Sequence, residues 1–203
     1  MTDFFKNRPD LTLISAAIPV NSRVLDLGCG KGELLHKLIE DKKCHGQGVE
    51  IHHNAITACV ERGIPVIHSN LDEGLGDYPD QSFDYVILSR TLQVVHKPDN
   101  IIKEIVRVGK VGVISFPNFG YWKVRMSLLF SGKMPVTKTL PHTWYSTPNI
   151  HLLTVKDFNQ FCRDNHIYIH NQIHLDFKQK RTVLARIFSD LMAAQSLFFI
   201  SRS

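Results

Sequence analysis

The sequence predicts a doubly wound α/β fold: a mostly parallel seven-stranded sheet with an antiparallel terminal strand. Three observations predict it. Short β-rich runs alternate with helical patterns up to residue 116, the signature of βαβ units. A glycine-rich turn (Gly28, Gly30, Gly32) joins the first such run to the first helical pattern. Two more β-rich segments come late, where they can pair as an antiparallel edge hairpin.

Arg23-Val-Leu-Asp-Leu27 is a short apolar run ending in glycines, a buried strand. Residues 33–43 follow with Leu34, Leu35, Leu38 and Ile39 on one helical face. Residues 46–51 are the second strand. Asn54 is placed to cap a helix carrying Ile56, Cys59 and Val60, and Gly63 stops it. Residues 64–68 are the third strand, with Pro65 at its beginning because proline cannot donate to a ladder. Phe83-Asp-Tyr-Val-Ile-Leu-Ser89 is the fourth. Asp99 opens a helix with Ile101, Ile102, Ile105 and Val106 on one side, ended by Gly109. The charges of its other face, Asp99, Lys103, Glu104 and Arg107, read as ordinary solvation. Residues 111–116 are the fifth strand, stopped by Pro117.

The pattern then changes. Residues 121–130 suit an amphipathic helix, and 134–149 hold Pro135, Pro141 and Pro148, an irregular stretch. Together they make an excursion over about 117–151 in an otherwise single domain, 1–203. Thr154 with Asp157 is a capping box for a helix carrying Phe158, Phe161 and Cys162. Residues 166–176 and 196–201 are the late strands.

A chain of 203 residues, 43% hydrophobic, is long enough to bury a sizeable core. No run reaches ~18 uncharged apolar residues, so no membrane span is expected. Asp3, Lys6, Arg8 and Asp10 stand where a signal peptide needs an apolar run, so a cytoplasmic location is expected. Cys29, Cys44, Cys59 and Cys162 lack the C-x-x-C spacing of a zinc module and read as reduced, buried thiols. His166, His170 and His174 are four apart, but on a strand that interval spreads the rings over ~13 Å. They read as exposed edge-strand residues, and no metal site is expected. The net charge of +5 is dispersed, with its longest basic clusters at Lys42-Lys43 and Lys178-Gln-Lys-Arg181. A nucleic-acid binder concentrates such charge, so no nucleic-acid partner is expected.

The informative motif is Asp26-Leu-Gly28-Cys-Gly30-Lys-Gly32. Glycines after a strand let a ligand approach the backbone, and the helix that follows offers unpaired N–H groups. The dinucleotide fingerprint would need glycine where Glu33 stands, which disfavours a pyrophosphate. Asp26 agrees, since a carboxylate at the strand end attracts an ammonium group and repels a phosphate. Glycines serving only strand–helix packing are the alternative. Glu50, about 20 residues on, suits ribose hydroxyls, with Ile51 beside it. His52-His53 follow, bordering that pocket or solvated. Asn70, next to Leu71 after the third strand, offers an amide to an adenine edge. Ser89 ends the fourth strand, near the point where the sheet order reverses.

These elements, in this order over residues 20–116, resemble the class I S-adenosylmethionine-dependent methyltransferases, whose fold is Rossmann-like. That resemblance implies S-adenosylmethionine or S-adenosylhomocysteine as cofactor, held by Asp26, Gly28, Gly30, Gly32, Glu50, Ile51, Asn70, Leu71 and Ser89. The family usually has aspartate where Asn70 stands. A narrower resemblance spans nearly the whole chain. Asp72-Glu-Gly-Leu75, Leu88-Ser-Arg-Thr-Leu-Gln93, Ser115-Phe-Pro-Asn-Phe-Gly120, Lys133-Met-Pro-Val-Thr-Lys138, Trp144-Tyr145 and Thr147-Pro-Asn-Ile-His151 are similar to the methionine-biosynthesis family MetW. It implies a role in amino-acid biosynthesis beside a homoserine O-acyltransferase partner. The alternative is a methyltransferase acting on a small molecule or on its protein partner.

The excursion holds Asn118, Tyr121, Trp122, His142, Trp144, Tyr145, Asn149 and His151, suited to an acceptor pocket, a docking surface or a self-packed lid. If methyl transfer needs a general base, His142, His151 and Tyr121 are the candidates.

Overall fold

The computed structural model describes residue 5 and residues 8–137, 139–176 and 178–203. The chain runs α1 (Pro9–Ala17), β1 (Arg23–Leu27), α2 (Glu33–Lys42), β2 (His45–Glu50), α3 (His53–Glu61) and β3 (Val66–His68). After a 3₁₀ turn at Leu71–Glu73 come β4 (Phe83–Ser89), α4 (Pro98–Val108), β5 (Gly109–Pro117) and α5 (Trp122–Ser131). The rest is α6 (Val155–Asp164), β6 (Ile167–Leu175), α7 (Val183–Ile187), α8 (Ser189–Met192) and β7 (Gln195–Arg202).

The seven strands form one sheet in the order β3-β2-β1-β4-β5-β7-β6. The first five pair in parallel. β7 runs antiparallel to both β5 and β6. The late hairpin therefore forms, but its second strand inserts between β5 and β6 and leaves β6 at the edge. Strand periodicity explains the insertion. β7 presents Phe198 and Ile200 to one buried face and Leu197 and Phe199 to the other, a two-sided pattern that suits an interior position.

The same alternation divides the core into two layers. On one face Leu25, Leu27, Val86, Leu88, Ile114 and Phe116 pack against Ile101, Ile102 and Ile105 of α4 and Phe158 and Cys162 of α6. On the other, Val24, Ile87 and Val113 pack against Leu11 and Ile14 of α1 and Leu34, Leu35 and Leu38 of α2. All four cysteines are free and buried. The order reverses between β1 and β4, which puts a crevice outside the carboxyl ends of those strands.

Several local expectations need correction. α3 begins at His53 with His52 as its N-cap, so Asn54 lies in the first turn and caps nothing. α4 begins at Pro98, whose missing N–H costs nothing in a first turn, so Asp99 is inside the helix. The capping box is present, with Thr154 Oγ1 accepting from Asp157 N–H at 3.2 Å and Asp157 Oδ2 accepting from Thr154 N–H at 2.8 Å. α5 buries only Val124 and leaves Phe130 81% exposed, so it is not a core-facing amphipathic helix. Arg107 does more than solvate α4. It donates to the carbonyls of Leu75 and Tyr78 and pairs with Glu104 and Asp80, clamping the loop before β4. His174 is buried, its Nδ1 2.9 Å from Ser196 Oγ and its ring 6.1 Å from that of Phe198, both on the neighbouring strand β7. Burial there pushes its imidazole down to about 4.

Candidate functional site

The glycine loop leaves β1 and enters α2 with Gly28, Gly30 and Gly32 at φ of +71°, +57° and +75°. Those backbone angles strain any residue with a Cβ. The three glycines differ in what surrounds them. A Cβ on Gly28 would lie 2.8 Å from Thr91 Oγ1, whereas one on Gly30 would meet no atom within 4 Å. Gly30 thus faces open space, the cradle a ligand needs. A Cβ on Gly32 would lie 2.5 Å from Ile64 Cδ1, and Gly32 lines neither neighbouring cleft. Its place is helix packing rather than ligand contact.

Two clefts flank the loop and share Gly28. One, of about 540 Å³, is lined by Glu50, Ile51, His52, Asn70, Leu71 and Thr91 among others, with Pro148 from the excursion at its rim. The other, of about 440 Å³, is lined by Arg8, Leu11, Asp26, Cys29, Gly30, Lys31, Glu33, Leu34 and Ser89. Residues from β1, β2 and β4 therefore converge as their strand ends dictate. The excursion reaches this region through the N–H groups of Ile150 and His151, which donate to Gln93 O at 2.9 and 3.1 Å.

Glu50 is 6% exposed and its carboxylate accepts three backbone N–H groups. Oε2 accepts from Gly30 at 2.8 Å. Oε1 accepts from Ile51 at 2.8 Å and His52 at 3.0 Å. A carboxylate offers about four acceptor sites, so roughly one remains toward the cleft. This side chain ties the glycine loop to the end of β2 and still presents charge to the larger cleft.

Asp26 is the opposite case. It is 4% exposed, and among the described residues no hydrogen-bond donor meets its carboxylate. Burial, reinforced by the charges of Glu50 and Glu33, pushes it up to about 7 against the pull of Arg8. A buried carboxylate without a donor, at the edge of a cleft, is a site for a cationic donor.

Asn70 lines the larger cleft, but its Oδ1 accepts from Asp72 N–H at 3.1 Å and caps the 3₁₀ turn. Its amide nitrogen has no such commitment to that turn. Ser89 joins a buried polar network. Its hydroxyl lies 3.1 Å from Asp10 Oδ2 and 3.1 Å from Ser115 Oγ, and it accepts from Arg8 Nη2 at 2.9 Å. Asp10 is fully buried, and Arg8 donates to it through Nε and Nη2. Arg90, at φ +56°, approaches the same carboxylate at 3.5 Å. Burial opposes the charge on Asp10, but Arg8, Arg90 and Ser89 together hold it below the usual carboxylate range.

The three general-base candidates lie outside both clefts. Tyr121 is buried against Val124, Leu140 and Ala194. His142 is exposed and lines a small cavity of about 40 Å³ within the excursion. His151 is half-buried beside Gln93. Asn118 is a strut. Its amide donates to Asp190 and Ala193 carbonyls at 2.9 and 2.8 Å while its oxygen accepts from Gly120 N–H at 2.9 Å. Sequence reasoning missed Arg8, Thr91 and Pro148 as lining residues. Arg8 lies before the first recognisable strand, and nothing local marks it as facing Asp26. Among the described residues no helix is long and apolar enough to cross a membrane, and no cluster of His, Cys, Asp or Glu comes together as a metal site.

This sheet order and crevice are those of the class I S-adenosylmethionine-dependent methyltransferase fold. A methyltransferase from Mesorhizobium loti superposes with a TM-score of 0.69 at 18% identity, covering 97% of this chain and 98% of that one. One from Archaeoglobus fulgidus gives 0.68 at 16% identity, covering 100% and 95%. The [4+2]-cyclase SpnF gives 0.68 at 15% identity, covering 97% and 81%, so one fold carries different chemistries. Within that fold the chain belongs to the family of methionine biosynthesis protein MetW, whose model matches residues 8–200. It is 34% identical over 175 residues to the bifunctional methionine biosynthesis protein MetXA/MetW of Rhodopirellula baltica. The match covers 82% of this chain and 28% of that protein, so the chain spans little more than a quarter of its relative's length.

Proposed function

We propose that this MetW-family protein binds S-adenosylmethionine or S-adenosylhomocysteine around the glycine loop and supports a homoserine O-acyltransferase in methionine biosynthesis. The observation that carries the reading is the pair of carboxylates on either side of Gly28 and Gly30. Asp26 is buried in one cleft without a donor among the described residues, and Glu50 borders the other. The residues present fit the group. Asp26 suits the ligand's ammonium, and Glu50 suits a ribose hydroxyl through its remaining acceptor site. Ile51 and Leu71 offer apolar surface to the base, Asn70 an amide to its edge, and Gly30 room for close backbone approach. When bound, S-adenosylmethionine carries an activated methyl group on its sulfonium.

A partner role is supported by exposed apolar surface. Trp144 and Tyr145 are 75% and 74% exposed, stacked edge to face at 5.6 Å. Rigid aromatics of this kind serve as interface anchors. The relative whose name joins MetXA to MetW adds to that support.

The test is acyltransferase activity with and without this protein, across S-adenosylmethionine concentrations. The reading expects a nucleoside response only when the protein is present, weakened by Trp144→Ala. No response at saturating ligand overturns the regulatory reading.

A further inference from the structure

We infer that Arg8 is the carboxylate anchor of the smaller cleft, so that Arg8 and Asp26 together select a ligand bearing a complete α-amino acid. The inference rests on the S-adenosyl reading above and names what recognises the far end of that ligand.

Two guanidinium groups, Arg8 and Arg90, converge on a single carboxylate, Asp10. The cluster therefore holds one positive charge more than its buried acid can balance. Arg90 is turned away from the cleft, donating to Gln195 Oε1 at 2.6 Å, and does not line it. Arg8 does line it, with its side chain 24% exposed. The surplus charge therefore faces the cleft through Arg8. Guanidinium presents five donors in a fixed fork. Arg8 spends Nε and Nη2 on Asp10 and Ser89.

Asp26 supplies the other half. It lines the same cleft, lacks a donor among the described residues, and Arg8 is the cation that acts on it most strongly. A cation and a carboxylate that are not hydrogen-bonded to each other, on one cleft wall, are complementary to a zwitterion. An ammonium would meet Asp26 and a carboxylate would meet Arg8. A nucleoside ending in a thioether without an amino acid satisfies neither. Position is set by packing as well as chemistry. Arg8 is the residue before α1, and Leu11 and Ile14 dock that helix into the core, fixing the guanidinium over the end of β4.

The experiment compares ligands on the whole protein by calorimetry. S-adenosylhomocysteine carries the amino acid, 5′-methylthioadenosine lacks it, and decarboxylated S-adenosylhomocysteine lacks only the carboxylate. Wild type should bind S-adenosylhomocysteine at least tenfold more tightly than the decarboxylated compound. Arg8→Gln keeps an N–H donor for Asp10 and removes the charge. It should weaken S-adenosylhomocysteine at least tenfold and leave 5′-methylthioadenosine within twofold. Equal weakening of both ligands would make Arg8 a structural residue and overturn the inference, as would unchanged affinity for S-adenosylhomocysteine. Should Arg8→Gln fail to fold, the decarboxylated compound on wild type decides, and equal affinity overturns it. Wild-type protein that binds none of these compounds overturns the S-adenosyl reading itself, a result distinct from the others.

Discussion

Replacing Gly28 with alanine places a methyl group 2.8 Å from Thr91 Oγ1 and 3.0 Å from Thr91 Cγ2, at a φ of +71°. Two costs arise, and they are separable. The left-handed backbone costs a residue with a Cβ about 1–2 kcal/mol. Overpacking against a side chain that cannot retreat adds about 1–3 kcal/mol. Thr91 cannot retreat freely, because its hydroxyl donates to Ser89 O at 3.2 Å. Gly28→Ala should therefore destabilise by roughly 2–5 kcal/mol, a fall in Tm on the order of 10 °C for a chain of this size. Thr91→Ala removes the obstruction but not the backbone strain. In that background the same glycine substitution should cost only about 1–2 kcal/mol. Urea denaturation of the wild type, both single variants and the double variant gives the coupling directly. A Gly28→Ala cost that is the same in both backgrounds would refute the claim that Thr91 closes over the glycine. A cost below about 0.5 kcal/mol, the range of ordinary surface changes, would refute the strain as well.

Other predictions follow from the buried groups. Asp26 has its folded-state pKa raised from 3.8 to about 7, so the folded protein holds a proton that the unfolded chain releases. Stability from this group is full below about pH 4 and is lost as pH rises toward 7, by roughly 4 kcal/mol; Asp26→Asn should remove that slope in denaturation curves between pH 4 and 7.5. His174, lowered from 6.5 to about 4, works in the other direction. Its contribution is full above about pH 6.5 and is lost as pH falls toward 4, so His174→Asn should be less acid-sensitive than wild type in the same measurement. Asn118→Ala leaves the carbonyls of Asp190 and Ala193 and the N–H of Gly120 without their partner, and should cost about 3 kcal/mol by thermal or urea unfolding; a loss under 1 kcal/mol contradicts its role as a strut.

Much of the fold was legible because its signals are local. The apolar runs of β1, β4 and β5 and the faces of α2 and α4 follow strand and helix periods within a few residues. The Thr154–Asp157 box is a cap whose geometry follows from residue type and spacing. What was illegible depends on distant partners. Nothing in residues 166–176 reveals that His174 is buried, because its side-chain neighbours Ser196 and Phe198 lie on β7, some 20 residues on. Arg107 reads as one charge on a solvated helix face until the loop before β4 folds against it. The site divided in the same way. Asp26, Gly28, Gly30 and Glu50 carry a spacing that sequence preserves. Gly32 carries the same spacing, yet the side chain of Ile64 occupies the space beside it. Arg8 reaches the cleft only because α1 packs across the sheet, a tertiary fact without a motif.

The most direct test of the central claim is calorimetric titration of the purified protein with S-adenosylmethionine and S-adenosylhomocysteine, repeated with Glu50→Ala. Because Glu50 holds the N–H groups of Gly30, Ile51 and His52 together, its loss should open the glycine loop as well as remove an acceptor for the ribose. The account predicts saturable binding of both ligands by the wild type and none detectable by a folded Glu50→Ala variant. Folded wild-type protein that binds neither ligand, or a variant that binds as well as wild type, would contradict it.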